Sequence, residues 1–130
     1  MLTLQQLDGR FIRYREETKD EMFARGVSKP AQFFERVNSL GEAHGVRFIC
    51  PKSFVAHNGP VGAHSVQVYF AGSPVPPEMG VNEAGETVRW AASGTSLDDL
   101  SLSPSIQEQD NECGWHGFVG SSGVPPGSAN

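Results

Sequence analysis

The sequence predicts an α+β fold, with one helix in the N-terminal half followed by a small, mostly antiparallel β-sheet. The first observation is a change of hydrophobic periodicity, from helical spacing before residue 45 to alternation of apolar and polar residues after it. The second is the content of 15 Gly and 9 Pro in 130 residues, which indicates many turns between short strands. A chain of this length buries a core without help from a metal, and we expect one globular domain over 1–120.

The helix is predicted within 28–45. Ser28 is a candidate N-cap, Pro30 fits the first turn, and Gly41 or Gly45 would end the helix. The spacing of its apolar residues places three of them on one face: Phe33, Val37 and Leu40.

Short strands bounded by turn residues account for most of the remaining chain: 10–15, 46–50, 65–70, 86–93, 100–106 and 115–120. We expect the strands at 45–50, 65–70 and 100–106 to be neighbours, which would bring Cys50 close to Cys113. The last segment, 121–130, has no charge and few large apolar residues, so it is predicted to be a flexible Gly/Ser/Pro tail.

Charge and hydropathy exclude several classes of partner. Residues 1–52 carry nine basic and seven acidic side chains, a net charge of +2, whereas 53–130 carry one basic and eight acidic side chains, a net charge of −7. Nucleic-acid binding needs clustered cations, so this distribution argues against it. No apolar run approaches the roughly 20 residues of a membrane span, and the N-terminus lacks a signal-peptide pattern. We therefore expect a cytoplasmic protein, in which cysteines are thiols or metal ligands more often than disulfides.

Both cysteines lie in patterns typical of metal ligands. Cys113 and His116 form a C-x-x-H pair, and Cys50 begins the stretch C-P-K-S, in which Ser53 occupies the place of the second cysteine of a zinc knuckle. Two thiolates and an imidazole would favour zinc over Mg²⁺ or Ca²⁺. Buried thiols and a disulfide are the competing interpretations of the two cysteines.

The missing fourth ligand has two histidine candidates. His57 lies in a loop able to fold back over Cys50, and His64 precedes the strand at 65–70. Neutral imidazole binds zinc at pH 7 without the proton loss that a serine hydroxyl requires, so we expect His57 or His64 rather than Ser53 to complete the site.

Candidate catalytic residues are few. A cysteine nucleophile needs a histidine base oriented by a third group, and the sequence does not single out such a set. Trp90 and Trp115 are interpreted as core anchors, or as a binding face if they are exposed.

Three stretches in order carry a resemblance to a known family: GVRFICPKSF…NGPVGAHSVQVYF, VRWAASGTSLDDLSLSPSI and CGWHGFV, over roughly 45–120. They resemble a family of small tailed-phage proteins, a domain-of-unknown-function group with C-P-x-C, LSPSI and C-x-x-H motifs. The resemblance implies a metal site formed by the two ligand pairs. Cys50, Cys113 and His116 match that pattern, and Ser53 departs from it.

Two functional hypotheses follow from these observations and the resemblance. The first is a non-catalytic phage accessory protein that binds a host or phage protein in the host cytoplasm, for example to inhibit a host factor or defence system; self-association into a homo-oligomer stays open. The alternative is a metal-dependent hydrolase with a zinc-bound water at the position that Ser53 leaves open. Glu112 or Asp99 would be its general base.

Overall fold

The computed structural model describes residues 1–108 and 113–130 and confirms the α+β class. The described strands and helices follow one another in this order: β1 Leu2–Thr3, β2 Arg10–Glu16, α1 Lys19–Arg25, β3 Gln32–Val37, β4 Gly45–Ile49, α2 Pro51–Ala56, β5 Ser65–Tyr69, β6 Ala91–Ser93, β7 Ser101–Ser103, β8 Ile106–Gln107, β9 His116–Gly117 and β10 Ser128–Ala129. None of the helices in these residues has the length and apolar content needed to cross a membrane.

A four-stranded antiparallel sheet in the order β3-β2-β4-β5 forms the scaffold. Its register aligns Val37, Phe11, Val46 and Val68 in one row across all four strands, and each of these side chains is buried. Residues from outside the sheet complete the same core, notably Leu4, Leu7, Leu100, Leu102 and Val119. Burial of these side chains in one shared core therefore holds both ends of the chain in the same domain.

Most of the predicted strands exist, but not all have the predicted partners. The strands expected at 10–15, 46–50 and 65–70 are present, and β4 pairs with β5 as expected. The segment 100–106 divides into β7 and β8 on either side of Pro104, which has no N–H to donate to a ladder. β7 pairs with β6 instead of joining the main sheet, so the expectation that it neighbours β4 and β5 is wrong.

The helix predicted within 28–45 is wrong, because its centre forms β3 and pairs with β2 over six residues. Phe34 contacts Tyr14 edge-on at 5.7 Å between ring centroids and stacks on Tyr69 at 5.3 Å. Adjacent aromatic residues followed by valine favour a strand, and cross-strand aromatic pairs stabilise it further. These contacts with distant residues outweigh the helical spacing that the sequence suggests.

The predicted tail at 121–130 instead packs on the domain. β10 pairs with β1, and Val124 and Ala129 are buried. Gly127 donates its N–H to the Leu100 carbonyl at 2.9 Å, and a Cβ added to Gly127 would collide with the Asp98 carbonyl oxygen. The small residues of this segment therefore permit close backbone approach.

Residues 17–31, here called the arm, connect β2 to β3 and contain α1. Thr18 and Glu21 form a capping box at the start of α1, and no residue of α1 is buried. The Glu17 side chain, only 3% exposed, accepts two hydrogen bonds from Arg25 at 2.6 and 2.7 Å and one from the Ala31 N–H at 3.1 Å. Ion pairs and capping, rather than apolar burial, hold the arm in place.

Acid should loosen the arm before it loosens the sheet. Hydrogen bonds from Arg15 and then from Thr18 lower the pKa of Glu21 from 4.5 to about 2, and the Arg25 side chain lowers the pKa of Glu17. A carboxyl group whose pKa is lower in the folded than in the unfolded state stabilises the fold at any pH above its unfolded pKa. This contribution is lost as the pH falls through the folded pKa. Hydrogen-exchange protection of the arm should therefore fall between pH 4.5 and 2, and Glu21→Gln should show part of this loss at pH 7. Arm protection that stays constant relative to the sheet would contradict this.

Candidate metal centre

Four side chains meet at one end of the main sheet and could hold a metal ion: Cys50, His64, Glu108 and Cys113. Their ligand atoms all lie within 4.8 Å of one another. The two sulfur atoms are 3.4 Å apart, and His64 Nε2 lies 3.0 Å from Glu108 Oε2. Tetrahedral zinc with bonds of about 2.0–2.3 Å needs ligand atoms about 3.3–3.8 Å apart. Small side-chain adjustments would therefore bring the four atoms to zinc-binding distances.

Strand pairing brings Cys50 and His64 together. The β4–β5 ladder ends at the pair Ile49 and Ser65, and the next residue in each direction is a candidate ligand. The Cys50 N–H donates to the His64 carbonyl at 3.0 Å, which extends the ladder by one bond. Backbone hydrogen bonds from Ser53 and Lys52 reach the Cys50 side chain at the start of α2. The first ligand pair is therefore positioned by main-chain hydrogen bonds on both sides.

Ser53 supports the site without belonging to the cluster. It is buried, and its Oγ accepts a hydrogen bond from the His64 N–H at 3.2 Å. Ser53 thus helps to fix the backbone of His64, one of the two histidines expected to complete the site. Groups that orient a ligand in this way contribute to metal affinity through the ligand.

A second hairpin supplies the other two candidate ligands. β8 and β9 pair with Gln107 opposite His116, and the Glu108 N–H donates to the Trp115 carbonyl at 2.9 Å. The Glu108 side chain is only 8% exposed. On the other side, Lys52 Nζ donates to the Cys113 carbonyl at 2.8 Å, which ties this hairpin to α2.

The structure confirms the expected proximity of Cys50 and Cys113. Two of the predicted histidine ligands, His116 and His57, lie outside the cluster. His116 lies in β9 between Trp115 and Gly117, which are both buried, and its own side chain is exposed. Its Nε2 lies 2.9 Å from Ser105 Oγ, outside the cluster. Strand alternation thus separates it from Cys113 despite the C-x-x-H spacing.

His57 also lies outside the cluster. It is at the end of α2, and its Nδ1 lies 2.8 Å from the Ser53 carbonyl oxygen, one helical turn back.

Glu108 was not foreseen from the sequence. Its only signal in the sequence is its position, directly after β8 and before Cys113, which itself precedes the partner strand β9.

The two tryptophans and Asp99 have structural roles. Trp115 is 6% exposed and packs edge-on against Phe48, so it belongs to the core rather than to an open binding face. Trp90 is half-buried and donates its indole N–H to the Ser105 carbonyl at 3.1 Å. The Asp99 carboxylate closes a turn by accepting hydrogen bonds from Thr95 and Ser96. Glu112 lies outside the described residues.

Burial controls the protonation of the site. Removal from water raises the pKa of the Cys50 thiol to about 12, and the Cys113 sulfur and the Glu108 charge act in the same direction. Without a cation Cys50 is therefore a thiol at pH 7. A divalent cation must displace this proton to bind, so metal affinity should weaken as the pH falls.

Comparisons with protein-family models, curated proteins and solved structures gave no match for this chain. The fold and the cluster together define an α+β domain with two thiols, one imidazole and one carboxylate in metal-binding proximity.

Proposed function

We propose that this chain is a zinc-stabilised, non-catalytic accessory protein of a tailed phage, which acts in the host cytoplasm by binding another protein. The observation that carries the zinc assignment is the convergence of Cys50, His64, Glu108 and Cys113 within 4.8 Å. Thiolate and imidazole ligands suit a borderline-soft tetrahedral ion, whereas Mg²⁺ and Ca²⁺ prefer all-oxygen sites. The phage origin and the identity of the partner as a host or phage protein rest on the sequence resemblance.

The number of ligands supports a structural rather than a catalytic ion. Catalytic zinc sites keep one position for water or substrate, whereas four protein ligands close the site. With Glu108 as the fourth protein ligand, a tetrahedral ion would have no position left for the water that the hydrolase alternative needs. The sulfur atoms belong to residues 63 positions apart, so an ion would link α2 to the β8–β9 hairpin. Such an ion contributes its binding free energy to folding.

Cobalt substitution tests the proposed ligand set. Co²⁺ added to metal-free protein should give intense visible bands of tetrahedral geometry and an ultraviolet sulfur-to-cobalt band. His64→Asn should weaken or alter both features, because it removes a proposed ligand. His116→Asn and His57→Asn are the matched controls and should leave the spectrum unchanged. A spectrum that depends on His116 and not on His64 would contradict the assignment.

The arm supports the binding role. Phe23 on α1 is 88% exposed, and α1 buries none of its residues in this chain. Short helices without tertiary packing are marginal in water, yet α1 is held by its capping box and by the Glu17–Arg25 and Arg15–Glu21 ion pairs. A pre-ordered exposed aromatic side chain is a favourable binding anchor, because little entropy is lost when it docks. The partner we propose is a protein with an apolar pocket for Phe23.

Phe23→Ser should weaken partner binding at least tenfold without reducing stability, because the ring is almost fully exposed. Val61→Ser is the matched control, since Val61 is 87% exposed and lies outside the arm. Pull-downs from bacterial lysates at several salt concentrations would identify the partner, and calorimetry with the purified partner would compare the three proteins. A loss of at least tenfold in affinity for Phe23→Ser alone supports the proposal.

Equal binding by both variants, or no partner above background, would contradict it. Light scattering of the purified chain shows whether a second copy is the partner. In that case Phe23→Ser should convert a dimer to a monomer.

A further inference from the structure

We propose that the metal centre is also a peroxide-sensitive switch, in which oxidation joins Cys50 and Cys113 in a disulfide and releases the zinc ion. This inference rests on the proposed function, because it assigns a regulation to the same site. It uses the only two cysteines of the chain.

The geometry places the two sulfur atoms in position to react with each other. They are 3.4 Å apart, and a disulfide requires about 2.05 Å, so the sulfurs must approach by only about 1.4 Å. Cys113 is partly exposed at a turn and is followed by Gly114 with φ +58°, whereas Cys50 is fully buried. Peroxide can therefore reach Cys113 first, and Cys50 lies beside it as the resolving thiol.

The reaction balances in two steps. The Cys113 sulfur attacks one oxygen of hydrogen peroxide, the O–O bond breaks, and a sulfenic acid and one water form. The Cys50 sulfur then attacks the sulfenic sulfur, the S–O bond breaks, and the disulfide and a second water form. Each sulfur gives up one electron, and the two electrons, together with two protons from solvent because both sulfurs start as zinc-bound thiolates, reduce peroxide to two waters. A dithiol reductant reverses the change by thiol–disulfide exchange.

His64 and Glu108 can stay paired with each other when the metal ion is absent. Without thiolates the site retains only His64 and Glu108, too few to hold zinc in tetrahedral coordination. These two side chains already contact each other at 3.0 Å, so neither is left without a partner when the ion departs. The buried polar groups are therefore satisfied in both states, as a two-state device requires.

The test treats zinc-loaded protein with one equivalent of hydrogen peroxide and follows zinc release with a chromogenic chelator, together with intact mass. We expect release of about one zinc per chain and a mass loss of 2 Da, with a Cys50–Cys113 peptide after digestion and full reversal by dithiothreitol. Cys113→Ser, loaded with zinc at high metal concentration, is the matched control. It should show no loss of 2 Da, and digestion assigns any 16 Da gain to Cys50 or to one of the 3 methionines.

Zinc-loaded protein that keeps its zinc, or that gains 32 Da at a cysteine without a disulfide, overturns the switch and leaves the zinc assignment intact. Protein that binds no zinc in the untreated state overturns the zinc assignment and, with it, zinc release. The two failures are thus distinguished by the zinc content before peroxide is added.

Discussion

Replacing Cys50 by alanine is expected to remove stoichiometric zinc and to lower the melting temperature measured in zinc by roughly 10–20 °C. Cys50 is a proposed ligand and is fully buried. A ligand that binds only the folded state stabilises it by about 4 kcal/mol when its free concentration is a thousand times Kd. For a domain of this size, 1 kcal/mol changes the melting temperature by a few degrees.

The control for this prediction is the same pair of proteins in chelator. Without zinc, wild type and Cys50→Ala should melt within a few degrees of each other, because the substitution removes only one core sulfur atom and the weak hydrogen bonds that it accepts from the Ser53 and Lys52 N–H groups. Cys50→Ser removes the same ligand but adds a buried hydroxyl, so its further loss of stability relative to Cys50→Ala measures the cost of the hydroxyl and not the loss of zinc. Wild-type protein whose melting temperature is equal in zinc and in chelator would contradict the account.

Phe48→Ala is expected to destabilise the domain by about 4 kcal/mol and to weaken zinc binding. Phe48 is 1% exposed and packs against Trp115 at 6.0 Å between ring centroids. Truncation of a buried phenylalanine to alanine costs about 3–5 kcal/mol through lost burial and the remaining cavity. Phe48 lies two residues before Cys50, and Trp115 lies two residues after Cys113, so the cavity would loosen both halves of the metal centre.

Phe33→Ala is the matched control, because it makes the same chemical change at a side chain that is 38% exposed. Phe33 contacts the Arg15 guanidinium at 4.9 Å, an interaction that contributes about 0.5–1 kcal/mol at such a site. Urea unfolding of both variants, with and without zinc, measures the difference. Equal losses for Phe33→Ala and Phe48→Ala would show that Phe48 does not anchor the core as described.

The sequence predicted the sheet strands more accurately than the helix. Val66, Val68 and Phe70 alternate with polar residues, and this period of two directly reflects a strand with one buried face. In β3 this alternation is absent, because Phe33 and Phe34 are adjacent, and Phe33 and Val37 fit a helical face. The contact of Phe34 with Tyr69, a residue 35 positions later, favours the strand, and no local pattern contains that information.

Three of the four residues of the candidate metal centre, Cys50, His64 and Cys113, were named from the sequence, His64 as one of two histidine candidates. Cys50 and His64 meet because they extend a ladder between two recognisable strands. His116 was expected as a ligand because its spacing from Cys113 fits a tight turn, but it lies in a strand that turns its side chain to solvent. Glu108 replaces it through a pairing between two-residue strands, which are too short for periodicity to reveal.

Elemental analysis of protein purified without a histidine tag tests the central claim most directly. The protein should be expressed with zinc in the medium, kept reduced and never exposed to chelator, and its thiols should be counted in parallel. We predict about one zinc per chain in wild type and in His116→Asn, less than about a tenth of that in Cys50→Ala, and two titratable thiols in wild type after denaturation. Wild-type protein with no metal and two thiols, or with another metal in stoichiometric amount, would contradict the account.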